Sequence, residues 1–351
     1  MSWLDDGDAE EDDELDESDI PMRPNPKANR PRTKRRPAHT DAVLARVLGV
    51  DRGRYTVLVG EDTPDEHTVV ATRARELRKQ SIVTGDRVRV VGDVSGAEGT
   101  LARIVGVAAR TTLLRRSADD TDQVERVVVA GADQMLIVVA AVDPPPRPRL
   151  VDRYLIAALD AGIRPLLVVT KTDLADPTEF LKHFEGIELR IFTSARDRLP
   201  VDEIGAALVG HTTVFVGHSG VGKSTLVNAL VPDAGRATGH VNEVTGRGRH
   251  TSSSTVSLRY RGASGTGWVI DTPGVRSFGL GHVDPAHILG AFTDLAEIAQ
   301  DCPRGCTHLP DAVDCAMNEA RAAGDLSPAA LGRLESLQRL LTTFAEHSGR
   351  P

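Results

Sequence analysis

Gly217, His218, Ser219, Gly220, Val221, Gly222, Lys223 and Ser224 have the GxxxxGKS spacing of a loop that holds phosphate. Glycine at 217, 220 and 222 lets backbone N–H groups turn inward onto phosphate oxygens that a Cβ would obstruct. The apolar run Thr213–Val216 precedes the loop, and a helix is expected from Lys223, through Thr225, into Leu226–Leu230. The N-terminus of that helix would turn its positive dipole end toward the same anions. Lys223 is expected to reach the β- and γ-phosphates and to stabilise charge during phosphoryl transfer, with Ser224 on Mg2+. Farther along, Asp271, Thr272, Pro273 and Gly274 close the apolar strand Trp268–Ile270. A carboxylate there can hold Mg2+ through water, and the Gly274 N–H can sense a γ-phosphate.

A second group of residues suits a base. Thr170, Lys171, Thr172 and Asp173 follow the apolar run Pro165–Val169. The Asp173 carboxylate can accept from both the N1–H and the exocyclic amine of guanine, whereas adenine offers no matching pair and a buried mismatch is heavily penalised. The Lys171 stem can cover the base face. Ser194 and Ala195, preceded by Thr193, match a second base-contacting loop after the next strand. GTP-binding domains ordinarily place the phosphate loop first and the base motif downstream. Here the 128 residues after Lys223 contain no lysine, so the base-reading motif has to lie upstream. The order implies a circularly permuted GTPase domain.

Between the phosphate loop and Asp271 runs Gly246-Arg-Gly-Arg-His250-Thr251, followed by three serines and Thr255, a composition that marks a switch segment. Thr251 is the expected second Mg2+ ligand, with Ser252 its competitor. Val275 stands where many GTPases keep a water-orienting glutamine, and valine cannot orient or deprotonate water. His250 is the nearest imidazole in sequence to a switch and the candidate catalytic residue; a loop histidine or an RNA contact is the alternative.

Cys302, Cys306, His308 and Cys315 offer three thiols and an imidazole within 14 residues, with Pro303, Gly305 and Pro310 to turn the chain. Zn2+ takes four such ligands tetrahedrally, and a fully protein-ligated site is structural. An odd cysteine count in one tight cluster argues against disulfides and for a reducing, cytoplasmic setting.

The elements that would position these residues divide the chain in four. Residues 1–39 open with eleven Asp/Glu in the first twenty and continue with seven Lys/Arg between 23 and 36, interleaved with proline; neither block can bury a core. Such an arm is either a solvated tail or a contact for phosphate-rich surfaces such as RNA. The arm hides the balance of the rest, where 42 basic residues face 39 acidic ones. Residues 40–110 read as five short strands, Ala42–Val50, Tyr55–Val59, Thr68–Thr72, Arg87–Val91 and Leu101–Val107, which suggest an OB-fold-like β-barrel or another small barrel. The barrel is rich in arginine but has only Tyr55 as an aromatic, so backbone recognition is favoured over base stacking. Residues 111–283 alternate apolar strands with helices, the pattern of a parallel, doubly wound α/β sheet. Residues 284–351 read as helices around the cysteine cluster, at Asp284–Ala299, Cys315–Ala323 and Pro328–Phe344. The longest apolar run, Met135–Val142, is far too short to span a membrane.

The signatures at 217–225, 246–252, 271–280 and 302–315 resemble the ribosome small subunit-dependent GTPase A proteins of bacteria, over about residues 40 to 345. The resemblance implies a barrel, a permuted GTPase and a Cys-Cys-His-Cys zinc domain in that order. It also implies binding of the 30S subunit with its 16S rRNA, help in late maturation, hydrolysis stimulated by the subunit, and a catalytic switch histidine. The expected ligands are GTP and GDP with Mg2+, and one Zn2+ per chain; a monomer without membrane contact is expected. An RNA-binding scaffold that uses GTP only as a clamp is the alternative. Thr170 in place of asparagine, Ser252 and Ser253 in place of threonines, and altered cysteine spacing depart from the family pattern.

Overall fold

The computed structural model describes residues 39–117, 125–234, 255–272, 278 and 280–348. The acidic and basic arm, His250, Thr251 and Ser252, and Gly274 and Val275 lie outside the described residues.

Strands β1 (Val43–Asp51), β2 (Arg54–Val59), β3 (His67–Arg73), β4 (Arg87–Gly92) and β5 (Ala102–Val107) run in the order β1-β2-β3-β5-β4, and a β1–β4 pairing closes the barrel. All pairings are antiparallel except β3 with β5. Alternation decides the inside: Val47, Val57, Val69, Val88, Val90 and Ile104 fill it. A register shift between Val47 and Gly49 bends β1, so its first half pairs with β4 while Gly49 meets Val256 of the neighbouring sheet.

A hairpin, β6 (Leu113–Ser117) and β7 (Glu125–Ala130), follows and has no counterpart among the sequence expectations. The chain then alternates: β8 (Gln134–Ala140), α1 (Pro148–Asp160), β9 (Arg164–Thr170), α2 (Thr178–Leu181), β10 (Arg190–Ser194), α3 (Val201–Leu208), β11 (Thr212–Gly217) and α4 (Lys223–Leu230). β12 (Val256–Gly262) and β13 (Gly265–Asp271) complete the sheet, in the order β10-β9-β8-β11-β13-β12. It is parallel from β10 through β13. The expected parallel sheet has one exception. β12 is antiparallel to β13, because the two residues between Gly262 and Gly265 permit only a hairpin, and it joins β1 of the barrel. Strands β8 and β11 are buried along their whole length, which is why they read as unbroken apolar runs.

The C-terminal part contains α5 (Pro285–Gly290), α6 (Thr293–Ile298), α7 (Ala316–Ala323) and α8 (Pro328–Ser348). The single helix expected over Asp284–Ala299 is broken at Ala291–Phe292, where Phe292 turns into the core. These helices share a core with one sheet face: Leu334, Leu337, Leu340 and Phe344 lie in the same cluster as Met135, Ile137 and Tyr154. Phe278, just beyond the Asp271–Gly274 motif, is fully buried edge-on to Tyr154 of α1. The other sheet face is covered by α3 and α4 through Ile204, Leu208, Leu226 and Val227. Among the described residues no helix is long and apolar enough to cross a membrane.

Candidate nucleotide and metal sites

β11 delivers the phosphate loop at the carboxyl end of the sheet, where open α/β sheets place their ligands. Gly217 is required by its neighbour: a Cβ there would stand 2.4 Å from the Val138 carbonyl oxygen. Gly222 caps α4 in the left-handed region at φ 91°, a conformation costly for any side chain, and its carbonyl accepts from the Leu226 N–H at 3.0 Å. His218 and Ser224 are half-buried, while Ser219, Gly220 and Thr225 are exposed. The Lys223 ammonium donates to the Asp271 carboxylate, and the two side chains are 10% and 3% exposed. Two expected phosphate-end residues, 48 positions apart, are thus in direct contact. The Thr272 hydroxyl donates to the Phe215 carbonyl at 2.7 Å, which fixes the end of β13 beside β11.

The residues expected to read the base gather at the same end. The Thr170 hydroxyl, 7% exposed, lies 2.6 Å from the Val221 carbonyl and 3.2 Å from the Val139 carbonyl, sharing its proton between them. The threonine that looked like a departure from pattern therefore ties this loop to the phosphate loop directly. Lys171 takes a left-handed backbone at φ 58°, and its ammonium donates to the Asp143 carbonyl. The Thr172 N–H donates to the Ser194 carbonyl at 3.2 Å, and an Asp173 carboxylate oxygen accepts from the Arg196 N–H at 3.1 Å. So the loop at 170–173 and the loop around Ser194 and Ala195 are stitched together. The Asp143 and Val221 carbonyls are supporting groups that sequence reasoning missed, since a backbone acceptor leaves no residue-type signal.

The four metal-ligand candidates also converge. Sγ of Cys302, Cys306 and Cys315 and a ring nitrogen of His308 all lie within 4.8 Å of one another. Cys302 Sγ stands 3.9 Å from Cys315 Sγ and 3.6 Å from His308 Nδ1, and Cys315 Sγ stands 3.9 Å from His308 Nδ1. A tetrahedron with Zn–S bonds near 2.3 Å has edges of about 3.8 Å, so the donor set fits a zinc ion. Burial holds the His308 imidazole below its usual pKa, favouring the neutral, ligating form. Asn318 of α7 donates to the Leu309 carbonyl at 2.9 Å, and buried Gln338 of α8 donates to the His308 carbonyl at 3.3 Å and to Asn318 at 2.8 Å. Those two helices shape the ligand loop.

A profile of the RsgA GTPase family matches residues 107–281. The small ribosomal subunit biogenesis GTPase RsgA of Pseudomonas aeruginosa (strain LESB58) is 37% identical over 235 residues, 64% of this chain and 63% of that protein. The small ribosomal subunit biogenesis GTPase RsgA 1 of Vibrio vulnificus (strain YJ016) is 36% identical over 295 residues, 82% of this chain and 81% of its own length. The crystal structure of YjeQ from Thermotoga maritima superposes with a TM-score of 0.61 at 23% identity, covering 88% of this chain and all of the other. YloQ, a circularly permuted GTPase, gives 0.60 at 23% identity over 88% of this chain and 97% of its own. These two likenesses concern the fold. The sequence relationships, extending over four fifths of the chain, settle the lineage: this protein is a member of the RsgA GTPase family.

Proposed function

We propose that this chain hydrolyses GTP and serves the biogenesis of the small ribosomal subunit, the role its Pseudomonas and Vibrio relatives are named for. The observation that carries the reading is the Thr170–Val221 bond, by which a guanine-suited loop and a phosphate loop share one end of the sheet. Residues 40–110 act as an RNA-binding barrel, 111–283 as the permuted GTPase, and 284–351 as a helical domain organised by one structural Zn2+. Asp173 selects guanine, Lys171 covers the base, and the N–H groups from Gly217 to Thr225 receive the phosphates. Lys223 leaves Asp271 to meet the β- and γ-phosphates, while Ser224 and Thr251 hold Mg2+, which spreads positive charge over the transferring oxygens. Val275 cannot orient water, so His250 takes that role in the complex with the 30S subunit and its 16S rRNA. The protein works as a cytoplasmic monomer.

Co-sedimentation with separated 30S and 50S subunits tests the partner. Retention on 30S with a non-hydrolysable GTP analogue, and release with GDP, is expected; equal retention on both subunits would refute it. His250→Ala, expected to bind GTP without hydrolysing it, separates a hydrolase from a scaffold, since a scaffold that uses GTP only as a clamp would keep its assembly activity.

A further inference from the structure

Where the barrel meets the nucleotide-binding sheet, donors from four strands converge on one carboxylate. Glu61, just past the end of β2, has a side chain only 9% exposed. It accepts from the Arg46 guanidinium of β1 at 3.1 and 3.3 Å and from Arg87 of β4. It also accepts from the Trp268 indole N–H of β13 at 2.8 Å, and Arg259 of β12 lies 3.6 Å away. Two guanidinium groups lie over the Trp268 ring, Arg46 at 4.7 Å and Arg259 at 4.8 Å from the ring centre. In the same β2–β3 loop, Asp62 pairs with Arg259, and Glu66 pairs with Arg261 at 3.2 Å. The Thr84 hydroxyl donates to the Thr255 carbonyl at 3.1 Å, beside the Gly49–Val256 strand pairing.

A buried ionic cluster contributes little net stability compared with apolar packing of the same volume, and burial pulls the Arg46 guanidinium below its usual pKa. What the cluster does impose is register. β12 begins one residue after Thr255, and β13 ends at Asp271, the partner of Lys223. Arg87 is the most exposed of the groups around Glu61, with 40% of its side chain open on the barrel.

We propose that Glu61 and Trp268 are positioning residues that couple the barrel to the nucleotide site. An RNA phosphate engaging Arg87 redistributes the partners of Glu61, and the β12–β13 hairpin carries the change to Thr255 and Asp271. This rests on the reading of the chain as a subunit-stimulated GTPase.

The chain has two tryptophans, Trp3 and Trp268, so Trp3→Phe leaves Trp268 as the only indole reporter. In that protein a structured, protein-free RNA is expected to shift Trp268 emission, and Arg87→Ala is expected to abolish the shift. Glu61→Gln is expected to lower 30S-stimulated turnover by at least about fivefold while GDP affinity stays within about twofold. Trp268→Phe, measured for turnover with Trp3 intact, keeps the aromatic packing and should do the same, which covers the case that Glu61→Gln folds poorly. Full stimulation in both variants would overturn the coupling. So would a parallel loss of basal turnover, GDP binding and stimulated turnover, the mark of a merely structural joint. If 30S failed to stimulate the parent protein, the functional reading itself would fall.

Discussion

Replacing Thr170 with valine removes one hydroxyl from a buried position and leaves the shape nearly unchanged. The hydroxyl donates toward the Val221 carbonyl at 2.6 Å, and it is the direct side-chain tie between the base-reading loop and the phosphate loop among the described residues. A net hydrogen bond is worth about 1 kcal/mol, and a buried carbonyl left without a donor costs about 1–3 kcal/mol. In the proposed site the nucleotide spans both loops, so most of that energy is expected in binding and not in global stability. At about 1.4 kcal/mol per factor of ten, the expected loss is roughly tenfold in affinity. It should be equal for GTP and GDP, because the bond holds the loops together without touching the γ-phosphate. Preference for guanine over adenine should persist, since Asp173 keeps its place beside the Arg196 N–H. Fluorescent GDP titration gives the affinity, and the same titration with an adenine nucleotide gives the preference. Thr170→Val binding both guanine nucleotides within about twofold of the parent would refute the reasoning. Thr170→Asn, whose amide can also donate, is expected to fall between the two.

Three further outcomes follow from the same geometry. Asp173→Asn should weaken GTP and favour xanthosine triphosphate, whose O2 accepts from the new amide; unchanged nucleotide preference in competition binding would remove Asp173 from the base site. Metal removal by a strong chelator should lower the melting temperature by at least about 5 °C. Because α8 and the sheet share one core, calorimetry should show a single transition and not a separate loss of the C-terminal helices. Burial pushes the Asp152 carboxyl up to about 6, although Arg339 stands 3.2 Å away, because neither carboxylate oxygen makes an oriented hydrogen bond and desolvation outweighs the poorly aimed pair. Between about pH 4 and 6 the folded state therefore holds a proton that the unfolded chain has released. Stability should fall as pH rises through that window, by up to about 3 kcal/mol, and Asp152→Asn should flatten the slope in urea titrations.

What the sequence made legible divides along the distance between interacting residues. The candidate metal site reads easily because four residues of restricted chemistry fall within 14 positions, and the structure gathers all four. The barrel strands read to within a residue or two, because burial on one face forces alternation. Local patterns fail where a neighbour from elsewhere dictates the residue. Helix α3 carries Gly205 at its centre, which weakens the helical signal; the reason is Tyr260, whose hydroxyl would stand 2.0 Å from a Cβ there. In the β6–β7 hairpin, Arg115 and Arg116 follow Leu113 and Leu114, so period-two alternation is lost. β12 departs from the parallel pattern in a local way: Ser257 and Arg259 alternate with Val256, Leu258 and Tyr260, as in an antiparallel strand, and a short turn joins it to β13. Thr170 looked like a lost amide, and only the approach of Val221, 51 positions away, shows what its hydroxyl can do. Glu61 gave no signal at all: Arg46 and Arg87 are 15 and 26 positions from it and Trp268 is 207. Chemistry carried by neighbouring residues is written in residue type. Coupling between modules is written in contacts that close only when the chain has folded, and the residues most worth mutating for that coupling are the ones composition passes over.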